Sequence, residues 1–167
     1  MNNRWRPNVT VAGIIFKNDS FLLVEEQTPK GLMLNNPAGH LDPGESIYDA
    51  CVREVLEETG YAFTPSHLVG VYLYKSPGNS AGTDEELDDG TTYLRFAFCG
   101  ELGDFDPHRS LDSGIERTLW MSFKEMQRTS DAGLHRSPLM ISGAVDYLRG
   151  QRFDLTCLNT HENIYTK

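Results

Sequence analysis

Glu54, Glu57 and Glu58 stand three and four residues apart, with Arg53 directly before them. On a helix, residues at that spacing share a face, so the carboxylates lie together. Like charges so placed cost about 0.2–0.5 kcal/mol per pair. A surface that needed only solvation would alternate signs more cheaply. A divalent cation removes the repulsion, and hard oxygen ligands suit Mg2+ or Mn2+. A solvated acidic helix face is the plainer alternative, and the triplet by itself leaves both readings open. Arg53 and Glu57 are four residues apart, so the guanidinium can fix one carboxylate.

The helix that must carry these acids has its own signals. Pro43 and Gly44 supply a turn. Ser46 suits the N-cap, and Asp49 completes a capping-box pattern. No proline or glycine interrupts 46–59, which predicts one helix of about four turns. Gly60 sits where a helix takes a left-handed C-terminal residue. Tyr48, Cys51, Val52, Val55 and Thr59 are the expected packing stripe, with the glutamates about a quarter turn away.

The wider spacing is specific. Gly39, five residues, Glu45, seven residues, then Arg53-Glu54-Val55-Leu56-Glu57-Glu58-Thr59-Gly60 resembles the Nudix box, G-x5-E-x7-R-E-U-x-E-E-x-G-U, with U a bulky aliphatic. Every fixed position matches, and the one departure is Tyr61 in the last aliphatic position. Beyond the box the chain is similar to the NudJ-type phosphatases of that family, from Val9-Thr10-Val11-Ala12 and Phe21–Glu26 to Asn36–Leu41. Leu94-Arg95-Phe96, Trp120, Arg136–Leu139 and Gly150–Phe153 extend the likeness over nearly the whole chain.

The resemblance implies an α/β (α+β) fold, the Nudix α/β/α sandwich with a mixed β-sheet, over 1–167 as one domain with its box at 39–61. It implies a Mg2+-dependent hydrolase, Mn2+ being a possible substitute. Water would attack phosphorus in a nucleoside tri- or diphosphate, or in hydroxymethylpyrimidine pyrophosphate. Glu57, Glu58 and the Gly39 carbonyl are the expected ligands, with Glu54 a third ligand or the base. Arg53 would orient Glu57, and Glu45 would act structurally where the helix begins, as would Gly39 and Gly60. Asp112 and Glu116 are further candidates for the base, though each also reads as a surface acid. Two other readings stand beside this one. One is a Nudix enzyme for ADP-ribose or dinucleoside polyphosphates, the other a non-catalytic ligand-sensing Nudix module.

Outside the box, Arg95 sits mid-strand among apolar neighbours, where an unpaired charge is costly. It either holds a substrate phosphate or pairs with an acid of the sheet. His40 is a phosphate contact or a hydrogen-bonded turn residue. Arg136 reads as solvated, and Tyr72, Tyr74, Tyr93 and Phe96 as packing aromatics rather than base-stacking ones.

Composition agrees with a small-molecule enzyme. The 167 residues suffice for one core, and 39% are hydrophobic. No apolar run is long enough to span a membrane, and MNNRWRPN lacks a signal-peptide core. These features predict a cytoplasmic protein, monomer or homodimer. The net charge of −9 opposes binding to a nucleic-acid polymer, which needs Lys and Arg to neutralise phosphates. Cys51, Cys99 and Cys157 are widely spaced and read as reduced thiols, with Cys51 buried.

Along the chain, Val9–Phe16, Phe21–Gln27, His67–Lys75, Thr91–Leu102 and Ile115–Met121 read as strands. Leu32–Leu34 is a short strand or bend. Residues 63–66, 76–90, with acids at 84, 85, 86, 88 and 89, and 103–114 read as loops. Ser122 caps a helix to Arg128 with Glu125 at the box position. Pro138 starts a last helix over Leu139–Leu148, and 151–167 reads as a strand-like or coil tail. This order predicts a mixed sheet with helices on both sides.

Overall fold

The computed structural model describes residues 4–77 and 90–166. Of the loop expected at 76–90, residues 78–89, which hold all five of its acids, lie outside the described residues. Strand β1 (Asn8–Gly13) is followed by β2 (Phe16–Lys17), β3 (Ser20–Thr28), β4 (Gly31–Asn35) and β5 (Ala38–His40). Helix α1 (Ile47–Thr59) leads into β6 (Tyr61–Lys75), β7 (Thr92–Phe105) and β8 (Ile115–Ser122). Helices α2 (Phe123–Asp131) and α3 (Leu139–Leu148) complete the elements, before two short 3-10 turns.

The strands form two sheets. One runs β5-β1-β7-β6 and is mixed, because β1 and β7 are parallel while the other pairs are antiparallel. The other is antiparallel and centred on β3, which has β8 on one edge and β2 and β4 along the other. The expected mixed sheet is present, and this second sheet lies beside it.

Period-two alternation divides the core. Leu22, Leu68 and Phe98 pack with Ala50, Cys51 and Val55 of α1. Their neighbours Phe21, Leu23, Val69, Ala97 and Cys99 pack with Met126 of α2 and Met140 and Ala144 of α3. Each fully buried large side chain contributes about 1.5–3 kcal/mol, so α1 is clamped to one face of the strands and α2 and α3 to the other. This is the expected three-layer sandwich.

Helix α1 follows its sequence signals. The Asp49 N–H donates to Ser46 Oγ (3.0 Å), and the Ser46 hydroxyl donates back to Asp49 Oδ2 (2.6 Å). Gly60, at φ 73°, donates to the Leu56 carbonyl (2.9 Å). The buried face differs from the expected stripe. It comprises Ala50, Cys51, Glu54, Val55, Glu58 and Thr59, while Tyr48 and Val52 are half-buried. Two of the glutamates therefore point inward. Helix α2 has a complete capping box between Ser122 and Glu125 and runs three residues past Arg128.

Residues 63–66 are strand, not loop. Strand β6 continues straight from the helix through Thr64-Pro65-Ser66, with register shifts at Tyr61/Phe63 and Pro65/His67. A proline is tolerated in a sheet at such a bulge. Gly100 makes room for it: a Cβ there would fall 2.1 Å from the Thr64 carbonyl oxygen and 2.8 Å from Pro65 Cα. The same long hairpin carries β7 to Phe105, so 103–105 are also strand. In the tail, Phe153 exchanges backbone hydrogen bonds with Leu68 (2.9 and 2.8 Å). Cys51, Cys99 and Cys157 are free thiols, the first two buried. No helix among the described residues is long and apolar enough to cross a membrane.

Candidate active site

Strand β5 sets Gly39 against Val11 of β1, and the bare glycine faces α1. A Cβ at Gly39 would stand 2.2 Å from the carboxyl carbon and both oxygens of Glu54. The absent side chain is the slot that the carboxyl occupies. One residue earlier, the Ala38 N–H donates to Glu58 Oε2 at 2.8 Å. Two acids one helical turn apart thus meet two consecutive residues of the turn.

Arg53 is the hub of the remainder. Its Nε and Nη2 donate to the two oxygens of Glu45 (3.0 and 2.7 Å), a bidentate pair. Nη1 donates to Glu54 Oε1 (2.7 Å) and Glu57 Oε2 (3.0 Å), and Nη2 also reaches the His40 carbonyl (2.9 Å). These acceptors, Glu45 first, hold its pKa above the ordinary guanidinium value. Glu45 in turn accepts the Asp42 N–H (2.8 Å), and Arg53 holds its carboxyl below the usual range. The helix, the turn before it and β5 are therefore tied by one side chain.

The acids facing inward behave differently. Burial drives Glu58 up to about 8, with the charges of Glu54, Glu26 and Asp112 adding to it against the Ala38 hydrogen bond. Burial likewise raises Glu54, more than Arg53 lowers it. Buried carboxylates that resist ionisation mark a place short of positive charge. A hard divalent cation is the group such oxygens fit. No three of the described His, Cys, Asp and Glu converge as a finished coordination sphere, since Glu54 and Glu57 are turned toward Arg53.

Asp112 comes to the site through the backbone, its N–H donating to the Glu57 carbonyl (3.0 Å). Its charge raises both Glu54 and Glu58. Glu116 is exposed at the bulge where β8 passes Glu25 and Glu26, and its side chain makes no hydrogen bond or ion pair among the described residues. The His40 ring is exposed, with its centroid 6.3 Å from that of Tyr93. Tyr72 packs on the α2–α3 side and donates to Asp146 Oδ2 (2.9 Å), and Phe96 packs on the α1 side.

One feature is absent from the sequence reading, and one alternative left open there is narrowed. Glu26 is buried, with Oε2 accepting from Arg136 Nη1 and Oε1 unpartnered. Arg136 is therefore paired rather than simply solvated. The signal for Glu26 was its place in β3, on the same face as the buried Leu22 and Val24. Arg95 pairs with no acid among the described residues, and its Nε and Nη1 are buried without partners.

A family model described as NUDIX domain matches residues 6–140. Phosphatase NudJ of Escherichia coli (strain K12) is 33% identical over 163 residues, covering 98% of this chain and 97% of that protein. The protein of the same name from Shigella boydii matches equally well. A solved NUDIX hydrolase from Nitrosomonas europaea is 46% identical with a TM-score of 0.82, covering 93% of this chain and 98% of its own. A MutT NUDIX hydrolase from Burkholderia pseudomallei, 19% identical with a TM-score of 0.58 over 72% and 87% of the two chains, shares the fold. With its glycine turn, its arginine hub and its inward-facing glutamates in one place, this chain belongs to the Nudix hydrolases and is an enzyme that hydrolyses phosphoanhydride bonds.

Proposed function

We propose that the enzyme uses Mg2+ to cleave the diphosphate linkage of a small molecule, a nucleoside tri- or diphosphate or a hydroxymethylpyrimidine pyrophosphate-like compound. The observation that carries this is the pairing of Gly39 and Ala38 with the buried carboxyls of Glu54 and Glu58, in a place where burial leaves both acids wanting a cation. Glu57, Glu58 and the Gly39 carbonyl would hold the ion, with Glu54 beside them as the base. When bound, it offsets the diphosphate charge that repels a nucleophile and makes a water more acidic.

The chain's own groups do the rest. Arg53 holds Glu54 and Glu57 in place and spends three further hydrogen bonds on Glu45 and the His40 carbonyl. That fixes the acids against the turn before substrate arrives. Glu54 Oε2, which Arg53 does not engage, takes the proton of the attacking water, and burial gives it the raised proton affinity a base needs. The water oxygen bonds to phosphorus as the bridging P–O bond breaks, and the leaving phosphate keeps that electron pair. Asp112, attached to the Glu57 carbonyl, keeps the neighbouring field negative. Arg95 and His40 contact the substrate.

The test is a panel of nucleotides, hydroxymethylpyrimidine pyrophosphate, ADP-ribose and dinucleoside polyphosphates, with products identified, with Mg2+ and after EDTA. Turnover of a nucleotide or pyrimidine diphosphate, abolished by EDTA and restored by Mg2+, is expected. Turnover that persists without metal, or is confined to ADP-ribose or dinucleoside polyphosphates, overturns the reading.

A further inference from the structure

Arg95 lies in the middle of β7, with Thr10 of β1 and Tyr72 of β6 opposite it. Its Nε and Nη1 are sealed from water and bond to nothing. Burial and the like charge of Arg136 push its pKa down to about 10, which leaves it charged at neutral pH. Charged donors sealed from water without a partner are among the costliest groups a fold can retain, and the adjacent Phe96 and Ala97 show that this strand accepts apolar residues.

The acids nearby do not discharge it. Glu26 and Glu58 lie close enough to favour the charged guanidinium, yet Glu26 spends Oε2 on Arg136 and Glu58 spends Oε2 on the Ala38 N–H. Thr10 Oγ1 and Glu26 Oε1 are buried and unpartnered as well. Arg136 is different in kind: its side chain is half-exposed and held through Nη1 by Glu26, while its backbone N–H is tied to the Leu34 carbonyl at 3.0 Å. One guanidinium is thus fixed and unspent, and a second stands beside it on a movable arm. Thr10, opposite Arg95, is on its other side opposite His40 of β5, so Arg95 lies two strands from the Gly39 turn.

We propose that Arg95 and Arg136 form a two-guanidinium site for the free outer phosphate of the substrate, so that the enzyme prefers diphosphates ending in a phosphate monoester to those capped at both ends. This rests on the reading of the α1 face as the diphosphate-cleaving site. A terminal phosphate carries close to two charges at neutral pH, whereas each phosphate of a doubly capped diphosphate carries one. Guanidinium groups match such oxygens in charge and in geometry. Arg95 supplies the preformed half of the site, and Arg136 closes from Glu26.

Calorimetry with inorganic pyrophosphate in EDTA tests binding apart from turnover. The wild type and Glu57→Gln are expected to bind. Arg95→Gln loses about ten- to hundredfold in affinity, the worth of hydrogen bonds to a charged group, and Arg95→Lys recovers part of it. Should Arg95→Gln fail to fold, Arg136→Gln at a half-exposed position loses affinity in the same direction. In kinetics, Arg95→Gln raises KM for a nucleoside diphosphate more than for ADP-ribose. The proposal is overturned if the wild type binds no pyrophosphate, if the folded variants bind as tightly, or if both KM values rise equally. Pyrophosphate binding through Arg95 in a protein that cleaves no diphosphate with Mg2+ would leave the anion site standing and remove the hydrolase reading.

Discussion

Gly39→Ala isolates the contact on which the site depends. The new Cβ would stand 2.2 Å from the Glu54 carboxyl, where ordinary contact begins at about 3.4 Å, so that group must retreat by about 1.2 Å. Gly39 is not in the left-handed region, and alanine brings no backbone strain. The clash is with the far end of a flexible side chain, so the fold survives. Moving Glu54 weakens its hydrogen bond from Arg53, which is partly exposed; we expect a loss of about 1–2 kcal/mol. That lowers Tm by about 2–8 °C for a chain of this size. A catalytic group displaced by about 1 Å costs on the order of a hundredfold in rate, close to 2.7 kcal/mol. Steady-state kcat/KM with Mg2+ measures it, and circular dichroism checks the fold. The decisive control is Glu54→Ala, where the added Gly39→Ala has nothing to strike and should change kcat/KM by less than about threefold. Wild-type activity in Gly39→Ala, or a full hundredfold loss in the Glu54→Ala background, would show that the glycine is not there for the carboxyl.

Glu57→Gln and Glu58→Gln should fold and lose about two or more orders of magnitude in kcat, because each removes a charge proposed to hold the cation. In Glu58→Gln the side-chain oxygen can still accept the Ala38 N–H, so a Tm near wild type is expected beside the lost activity. Retained turnover in either variant removes that residue from the ligand set. Gly100→Ala should act the other way. Its Cβ would meet the backbone of Thr64 and Pro65 at 2.1 and 2.8 Å, which cannot swing aside, so about 1–3 kcal/mol of stability is lost. Denaturant unfolding measures this, and an unchanged midpoint would remove the account of the β6 bulge.

Helix α1 was legible because its signals are local. The Ser46 cap, the Gly60 terminus and the alignment of Glu54 with Glu58 all follow from a repeat of 3.6 residues per turn. Which face of the helix turned inward was legible only in part: Cys51, Val55 and Thr59 are buried as expected. The same apolar pattern also pointed to Tyr48 and Val52, and Glu54 and Glu58 are buried in their stead, because the glycine turn of β5 offers a slot and an N–H that no helical pattern encodes. Residues 63–66 read as a loop from Pro65, and the pairing partner at Gly100 made them strand.

The amino-acid sequence by itself determined the helix, the acids it carries and the family. These rest on neighbours within about one turn and on a spacing with little room for coincidence. Only the tertiary structure decided that Glu26 meets Arg136 across 110 residues of chain, that Asp112 joins the box through the Glu57 carbonyl, and that Arg95 is left with two sealed, unspent donors. Such encounters depend on strand register and on how two sheets stand together, and register is set by the sum of many distant contacts rather than by any one residue.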